Sequence, residues 1–334
     1  MSAPHPNLLV RRCYDARTLV AEHPPRFTHP HKKLIHSLSC PKGAEPQGTL
    51  TYSRWRAMPL PERLPKAAPD VDMREDVFDY EAPHPDAERS VEWHVNFADP
   101  RLFVAYAGPL LAQDEMQVVE HPALASLLES LKAKKEPAAT EEEGVPTPVL
   151  VRGVERRCAL STDPDPGAGR PEGLYGNRFA RAPEDAIRQA VSVLDPPTIT
   201  NVIAIAAPGG GRGTYSMDEI RGVLLTAYTG FRAAVVESDL EDKGAPVVVH
   251  TGHWGTGAFG GNKVLMTMLQ LAAARLAGVH SVVFHTFDGD GSIAFREGDR
   301  RLRALNADKP EQPVEDLLGA ICAMGFRWGE SDGN

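Results

Sequence analysis

No run of about 18 consecutive apolar residues occurs anywhere in the chain, so a membrane-spanning helix is not expected. Cysteine is scarce. Cys13, Cys40, Cys158 and Cys322 are scattered and never form a C-x-x-C pair, which indicates neither a disulfide framework nor a zinc knuckle and suits a reducing compartment. Positive charge is in deficit: 36 Lys and Arg against 45 Asp and Glu give a formal charge of -9. That balance argues against a surface dedicated to duplex phosphates, although a small basic pocket can hide within an acidic total. The opening MSAPHPNLLVRR has no long apolar stretch behind its charges, and a cytoplasmic location is the expectation.

What is present is ordinary globular content. With 334 residues, 42% of them hydrophobic and 24% charged, the chain can form one large or two modest domains. Residues 1–90 are rich in Pro, His and Arg with little periodicity, and are expected to form an accessory layer packed on the core. From Glu92 the pattern changes. The runs EWHVNF, PVLVRG, ITNVIAIAA, PVVVH and SVVFHTF are predicted strands, and their continuous apolar character implies burial on both faces. Predicted helices lie between them, at residues 122–131, 183–194, 217–228 and 263–277, so an α/β sheet flanked by helices is expected over 91–334. Charged and Pro/Gly-rich stretches near 132–148 and 162–173 read as flexible insertions.

The densest chemical signal is VVVHTGHWGTGAFGGNKVL, where Gly252, Gly255, Gly257, Gly260 and Gly261 separate a buried strand from a helix capped by Asn262. Glycine lets a backbone come close to a ligand, and a helix start offers unpaired N–H groups, so the passage reads as a phosphate or diphosphate cradle. It is neither the G-x-G-x-x-G fingerprint nor a P-loop. A second cluster, Pro208 to Gly213, precedes a helix whose capping box is Ser216 and Glu219. Asp114 and Glu115 form an acid pair suited by charge to a helix start.

The glycine loop resembles the diphosphate-binding loop of the poly(ADP-ribose) glycohydrolases, T-G-N-W-G-C-G-A-F-G-G. Here it reads Thr251-Gly252-His253-Trp254-Gly255-Thr256-Gly257-Ala258-Phe259-Gly260-Gly261, with His253 and Thr256 as the two departures. Phe284-His285-Thr286-Phe287 is similar to the family's Y-F-T-F, and places Phe287 at the ribose. The family's V-D-F-A-N and Q-E-E segments are matched by Val95-Asn96-Phe97-Ala98-Asp99 and Gln113-Asp114-Glu115.

The resemblance implies a macrodomain-like mixed sheet that binds ADP-ribose or an ADP-ribosylated substrate and hydrolyses an ADP-ribosyl O-glycosidic bond. Glu115 would be the general acid/base, protonating the departing oxygen of an oxocarbenium-like transition state. Asp114 would hold a ribose hydroxyl, with Asp99 and Gln113 beside it. Asp86 would stand near the adenine, and Tyr175 would close over the ligand. No metal or redox cofactor is implied. Phe103-Val104-Ala105 replace the family's glycine triplet, so a reshaped ribose end and poor polymer turnover are expected. The alternative is a macrodomain that binds ADP-ribose or a related nucleotide without turnover.

Overall fold

The computed structural model describes residues 5–78, 80, 90–307 and 309–331. Its strands are β1 (Leu8–Asp15), β2 (Thr49–Trp55), β3 (Asp70–Arg74), β4 (Val91–Ala98), a small hairpin of β5 (Glu141–Glu142) and β6 (Val145–Pro146), then β7 (Val149–Leu160), β8 (Val191–Ala206), β9 (Val247–Gly252) and β10 (Ser281–His285). The helices are α1 (Ala16–Glu22), α2 (Pro30–Ser39), α3 (Gln113–Glu120), α4 (Pro122–Ala133), α5 (Glu184–Ala190), α6 (Met217–Glu241), α7 (Lys263–Ala277), α8 (Gly289–Asn306) and α9 (Val314–Ala323).

Eight strands form one mixed sheet in the order β1-β2-β7-β8-β4-β9-β10-β3. The five from β8 to β3 run parallel, and β7, β2 and β1 continue antiparallel. Every residue of β9 and β10 is buried, as continuous apolar runs in a parallel sheet covered on both faces require. Alternation along the strands divides the core. Trp93, Val95, Ile203 and Ile205 pack with α6, α7, α8 and α9, whereas Val202, Ala204 and Val151 pack with residues of α1 to α5. The fold is thus a mixed sheet flanked by helices.

Two helix starts form as their caps dictate. The Ser216 Oγ accepts the Glu219 N–H at 3.3 Å while the Glu219 carboxylate accepts the Ser216 N–H at 2.7 Å. Asn262 Oδ1 accepts the Leu265 N–H at 3.1 Å, and α7 ends at Gly278 with φ 76°. The helix expected over 183–194 is shorter. It stops at Ala190, because Val191, Ser192 and Val193 pair with Leu160, Ala159 and Cys158 of β7; the β-branched residues join the ladder instead of extending the helix. Residues 1–90 supply β1, β2 and β3, so both edges of the sheet come from this stretch. The charged stretch 132–148 contains the β5-β6 hairpin, with Thr140 and Thr147 buried.

The parallel strands β3, β4, β8, β9 and β10 all end at one edge. Their following loops gather there, which in open α/β sheets is where ligands bind.

Candidate functional site

The sheet opens at this edge between β4 and β9. Their paired register stops at His94 and His250, and β9 then continues beside β10 to Gly252. Gln113, the first residue of α3, fills the gap. Its Oε1 accepts the Phe97 N–H at 2.8 Å and its Nε2 donates to the Val95 carbonyl at 3.0 Å, replacing the bonds a neighbouring strand would make. The strand thereby fixes where α3 begins.

That start carries the acid pair. Asp114 and Glu115 are 7% and 4% exposed, Glu115 more deeply buried than its sequence position suggests. The Glu115 carboxylate accepts the Ala112 N–H at 3.0 Å, and Asn96 Nδ2 donates to Asp114 Oδ1 at 3.1 Å. Burial pushes both carboxyls above their ordinary range, and for Asp114 the neighbouring Glu115 adds to the shift. Lys32 on α2 opposes it. This lysine is fully buried, its Nζ donates to the Tyr106 carbonyl at 2.8 Å, and burial lowers it to about 8 although Glu115 and Asp114 favour its charge. One of two adjacent lysines in a ten-residue helix, Lys32 gave no signal of this in the sequence.

The Tyr175 hydroxyl accepts the Gln113 N–H at 3.3 Å, and its ring lies 6.0 Å from that of Phe287. Phe287 is half-exposed with φ 70°, a left-handed backbone that costs a non-glycine residue about 1–2 kcal/mol. The structure therefore brings Gln113, Asp114, Glu115, Tyr175 and Phe287 together. Asp99 stands at the end of β4 but is engaged locally, its Oδ1 accepting the Arg101 N–H at 2.9 Å. Asp86 lies outside the described residues.

Phe103 also has a positive φ, 51°. It adopts the left-handed backbone favoured by glycine, and its ring is fully buried in the core among neighbours that include Leu102 and Tyr106. Val104, 40% exposed, is the residue among 103–105 that faces solvent.

In the glycine loop, close packing within the protein explains four glycines. A Cβ on Gly252 would lie 2.6 Å from the His285 carbonyl oxygen and 3.5 Å from the Phe97 ring, and one on Gly261 would lie 2.5 Å from the Gly255 carbonyl oxygen. Gly255 and Gly260 have φ of 74° and 62°. The Gly257 carbonyl accepts the Gly260 N–H. Thr251 Oγ1 donates to Gln270 of α7, whose Nε2 donates to the Gly252 carbonyl, so the end of β9 is tied to the helix that follows. His253 Nε2 donates to the Gly291 carbonyl at 3.0 Å, and burial lowers the imidazole to about 4. Thr256 Oγ1 donates back to the His253 carbonyl. Trp254 is fully buried in the core, Phe259 packs against that core from the surface, and Ala258 is exposed.

Beneath the site, β4 presents Glu92, His94 and Asn96 on one face, and a polar layer extends across three strands. Asp76 Oδ1 accepts from His285 Nδ1 at 2.7 Å, His285 Nε2 meets His250 Nδ1 at 3.2 Å, and His250 Nε2 meets Glu92 Oε2 at 3.0 Å. Donor atoms of Glu92, His94 and His250 lie within 4.8 Å of one another. The His94 and His250 rings, however, stack 4.2 Å apart and only 13° from parallel. Imidazole lone pairs lie in the ring plane, so these two do not converge on one ion. Burial keeps both rings below the usual histidine range.

An open-edged α/β sheet with a glycine loop, a buried acid pair and two neighbouring aromatics is the class of protein this site defines. Residues 178–292 match the family model described as "Poly (ADP-ribose) glycohydrolase (PARG), Macro domain fold". The resemblance read from the sequence is borne out there. That range holds the glycine loop and Phe287 and excludes α3. Among solved structures, the chain is similar to a poly(ADP-ribose) glycohydrolase from Thermomonospora curvata bound to the inhibitor ADP-HPD, at 16% identity over 86% of this chain and 98% of that one, TM-score 0.44. A Deinococcus radiodurans poly(ADP-ribose) glycohydrolase in complex with ADP-ribose gives 13% identity over 86% and 96%, TM-score 0.45. An Oceanobacillus iheyensis macrodomain with MES bound gives 9% identity over 75% and 97%, TM-score 0.37. A search of curated protein sequences finds no match. Among the described residues no helix is long and apolar enough to cross a membrane.

Proposed function

We propose that the protein binds ADP-ribose at the open edge of the sheet and hydrolyses an ADP-ribosyl O-glycosidic bond, with Glu115 as general acid/base. The observation that carries this reading is the meeting of three segments far apart in sequence. α3 brings a buried acid pair, and its first N–H reaches the Tyr175 hydroxyl. Tyr175 faces Phe287, and Phe287 follows β10, the strand against which Gly252 is packed. The loop 252–261 offers the diphosphate a backbone surface, Phe287 and Tyr175 flank the ribose, and Asp114 and Asp99 address its hydroxyls.

Burial suits Glu115 to the acid role. Burial raises the carboxyl above its ordinary range, which favours the protonated form that gives its proton to the departing ribose oxygen; the resulting carboxylate then accepts one from the attacking water. Lys32 limits that rise and keeps the group able to cycle between both forms.

A second reading is a binding module without turnover, and one observation favours it: Glu115 is 4% exposed and its Oε2 is occupied by the Ala112 N–H. Calorimetric titration with ADP-ribose and with AMP, beside release of ADP-ribose from poly(ADP-ribose), separates the two. Binding with release supports the hydrolase, binding without release supports the module, and equal affinity for ADP-ribose and AMP overturns both.

A further inference from the structure

The C-terminal segment enters the same edge of the sheet, and neither the acid pair nor the glycine loop accounts for it. Trp328 is at its centre. The indole stacks on Tyr215, centroids 4.1 Å apart and 18° from parallel, and its Nε1 donates to Glu219 Oε1 at 3.1 Å. Glu219 is the capping residue of α6, so the indole is held by the helix that follows the Pro208 to Gly213 loop. The backbone continues the attachment on both sides. The Trp328 N–H donates to the Gly213 carbonyl at 2.9 Å, the Gly329 N–H donates to the Gly260 carbonyl at 2.8 Å, and Asn262 Nδ2 donates to the Arg327 carbonyl at 3.2 Å.

The two glycine loops also touch each other. A Cβ on Gly210 would stand 3.2 Å from the Phe259 carbonyl oxygen, and one on Gly255 would stand 2.8 Å from Pro208 Cδ. Gly211 is bare for a different reason: a Cβ there would fall 2.2 Å from Trp328 Nε1 and 2.3 Å from Cε2. The ring occupies the space a side chain would need.

We propose that Trp328 is a positioning residue that clamps the 208–213 and 252–261 loops into one cradle. The ligand it serves rests on the function proposed above; the clamp itself does not. Loops of this kind hold few buried contacts of their own and open easily unless tied to the scaffold. Trp328 ties one of them to α6 and, through Gly329 and Arg327, the other to the start of α7. A cradle held in one geometry before the ligand arrives loses less freedom on binding.

The test uses the full chain with Trp328→Ala, Trp328→Phe and Gly211→Ala. In the protein without ligand, Trp328→Ala raises amide hydrogen exchange by on the order of tenfold or more at Tyr215, which follows the 208–213 loop, and in 252–261, where Trp254, Thr256, Gly260 and Gly261 donate, while the middle of α7 stays protected. Gly211→Ala does the same, because its Cβ displaces the indole, and the double variant adds little to either single one. Trp328→Phe keeps the ring on Tyr215 and retains most of the protection. ADP-ribose affinity falls by on the order of tenfold in the alanine variants, with a smaller loss for AMP. Should Trp328→Ala not fold, Gly211→Ala carries the same comparison. Faster exchange confined to the C-terminal segment overturns the clamp, and loosened loops with unchanged ADP-ribose affinity overturn its role in positioning the ligand. Loosened loops in a protein whose wild type does not bind ADP-ribose leave the clamp standing and remove the ligand assignment instead.

Discussion

The rings of Tyr175 and Phe287 face each other with centroids 6.0 Å apart and planes tilted by 54°, and the Tyr175 hydroxyl accepts the first N–H of the helix that carries Glu115. Phe287 holds its position at a cost, since its φ is 70° and its ring is half-exposed. Phe287→Gly is expected to be more stable than Phe287→Ala by about 1 kcal/mol, the strain of a left-handed backbone being relieved only in the first. Both variants lose ADP-ribose affinity. Thermal unfolding beside calorimetry checks this, and unaltered affinity in both removes Phe287 from the ribose.

The acid pair divides its roles by what each carboxylate touches. Glu115→Gln is expected to keep ADP-ribose affinity and to lose at least about a hundredfold in glycosidic turnover. Asp114→Asn, which disturbs the contact with Asn96, weakens binding first. Single-turnover rates and calorimetry on both variants distinguish them; a larger rate loss at Asp114 than at Glu115 reverses the assignment.

The same burial makes stability depend on pH. The Asp114 carboxyl is raised in the folded protein by burial and by Glu115, so its stabilising contribution is complete below the unfolded pKa and declines as pH rises through the folded one. Asp114→Asn lacks that decline. The difference in melting temperature, variant minus wild type, is therefore expected to become more positive as pH increases from acid to alkaline, and a difference independent of pH speaks against a buried, neutral Asp114.

Glycines in one loop are expected to fail differently. Gly261→Ala forces a Cβ to 2.5 Å from the Gly255 carbonyl oxygen and lowers both stability and ADP-ribose affinity. Gly257→Val is expected to abolish binding with a smaller change in melting temperature, because the role proposed for Gly257 is to admit the diphosphate. Equal melting losses at the two sites contradict that division.

The missing glycine triplet calls for a different variant from the one its sequence suggests. Phe103→Gly relieves left-handed strain of about 1–2 kcal/mol but empties a core site, where loss of a phenyl ring costs about 3–5 kcal/mol. It is expected to destabilise the protein. Val104→Gly changes a side chain that is 40% exposed, and a rise in release of ADP-ribose from poly(ADP-ribose) in this variant alone shows that Val104 narrows the cleft.

The central sheet was legible because each of its strands β4, β7, β8, β9 and β10 contains a short, largely apolar run, although β7 and β8 extend beyond theirs into polar sequence, and α7 because Asn262 and Gly278 mark its two ends. β1, β2 and β3 were not. β1, LLVRRCYD, breaks its apolar start with two adjacent arginines at the sheet's edge, and β3, DVDMR, has too few apolar residues to announce that it pairs with β10. Within the site, the glycine loop was visible from its local pattern, whereas the pattern of Asp114 and Glu115 alone announces only a helix start, and the resemblance was needed to single them out. Lys32 and Trp328 were hidden because their roles depend on partners that only the fold brings near: the Tyr106 carbonyl for one, Gly211 and Tyr215 for the other. The glycines themselves were half legible, since sequence shows that a backbone must be bare but not whether ligand or protein occupies the space.

Gln113 makes a side-chain amide do the work of a peptide group, bonding Val95 and Phe97 where β9 has turned away from β4. The splice transfers the address of the acid pair from the connecting loop to the interior of the sheet. The 99–112 loop, Phe103, Val104 and Ala105 included, can therefore vary in length and sequence while the start of α3 keeps its station. Anchored in this way, α3 keeps its first turn in place whatever the loop before it does.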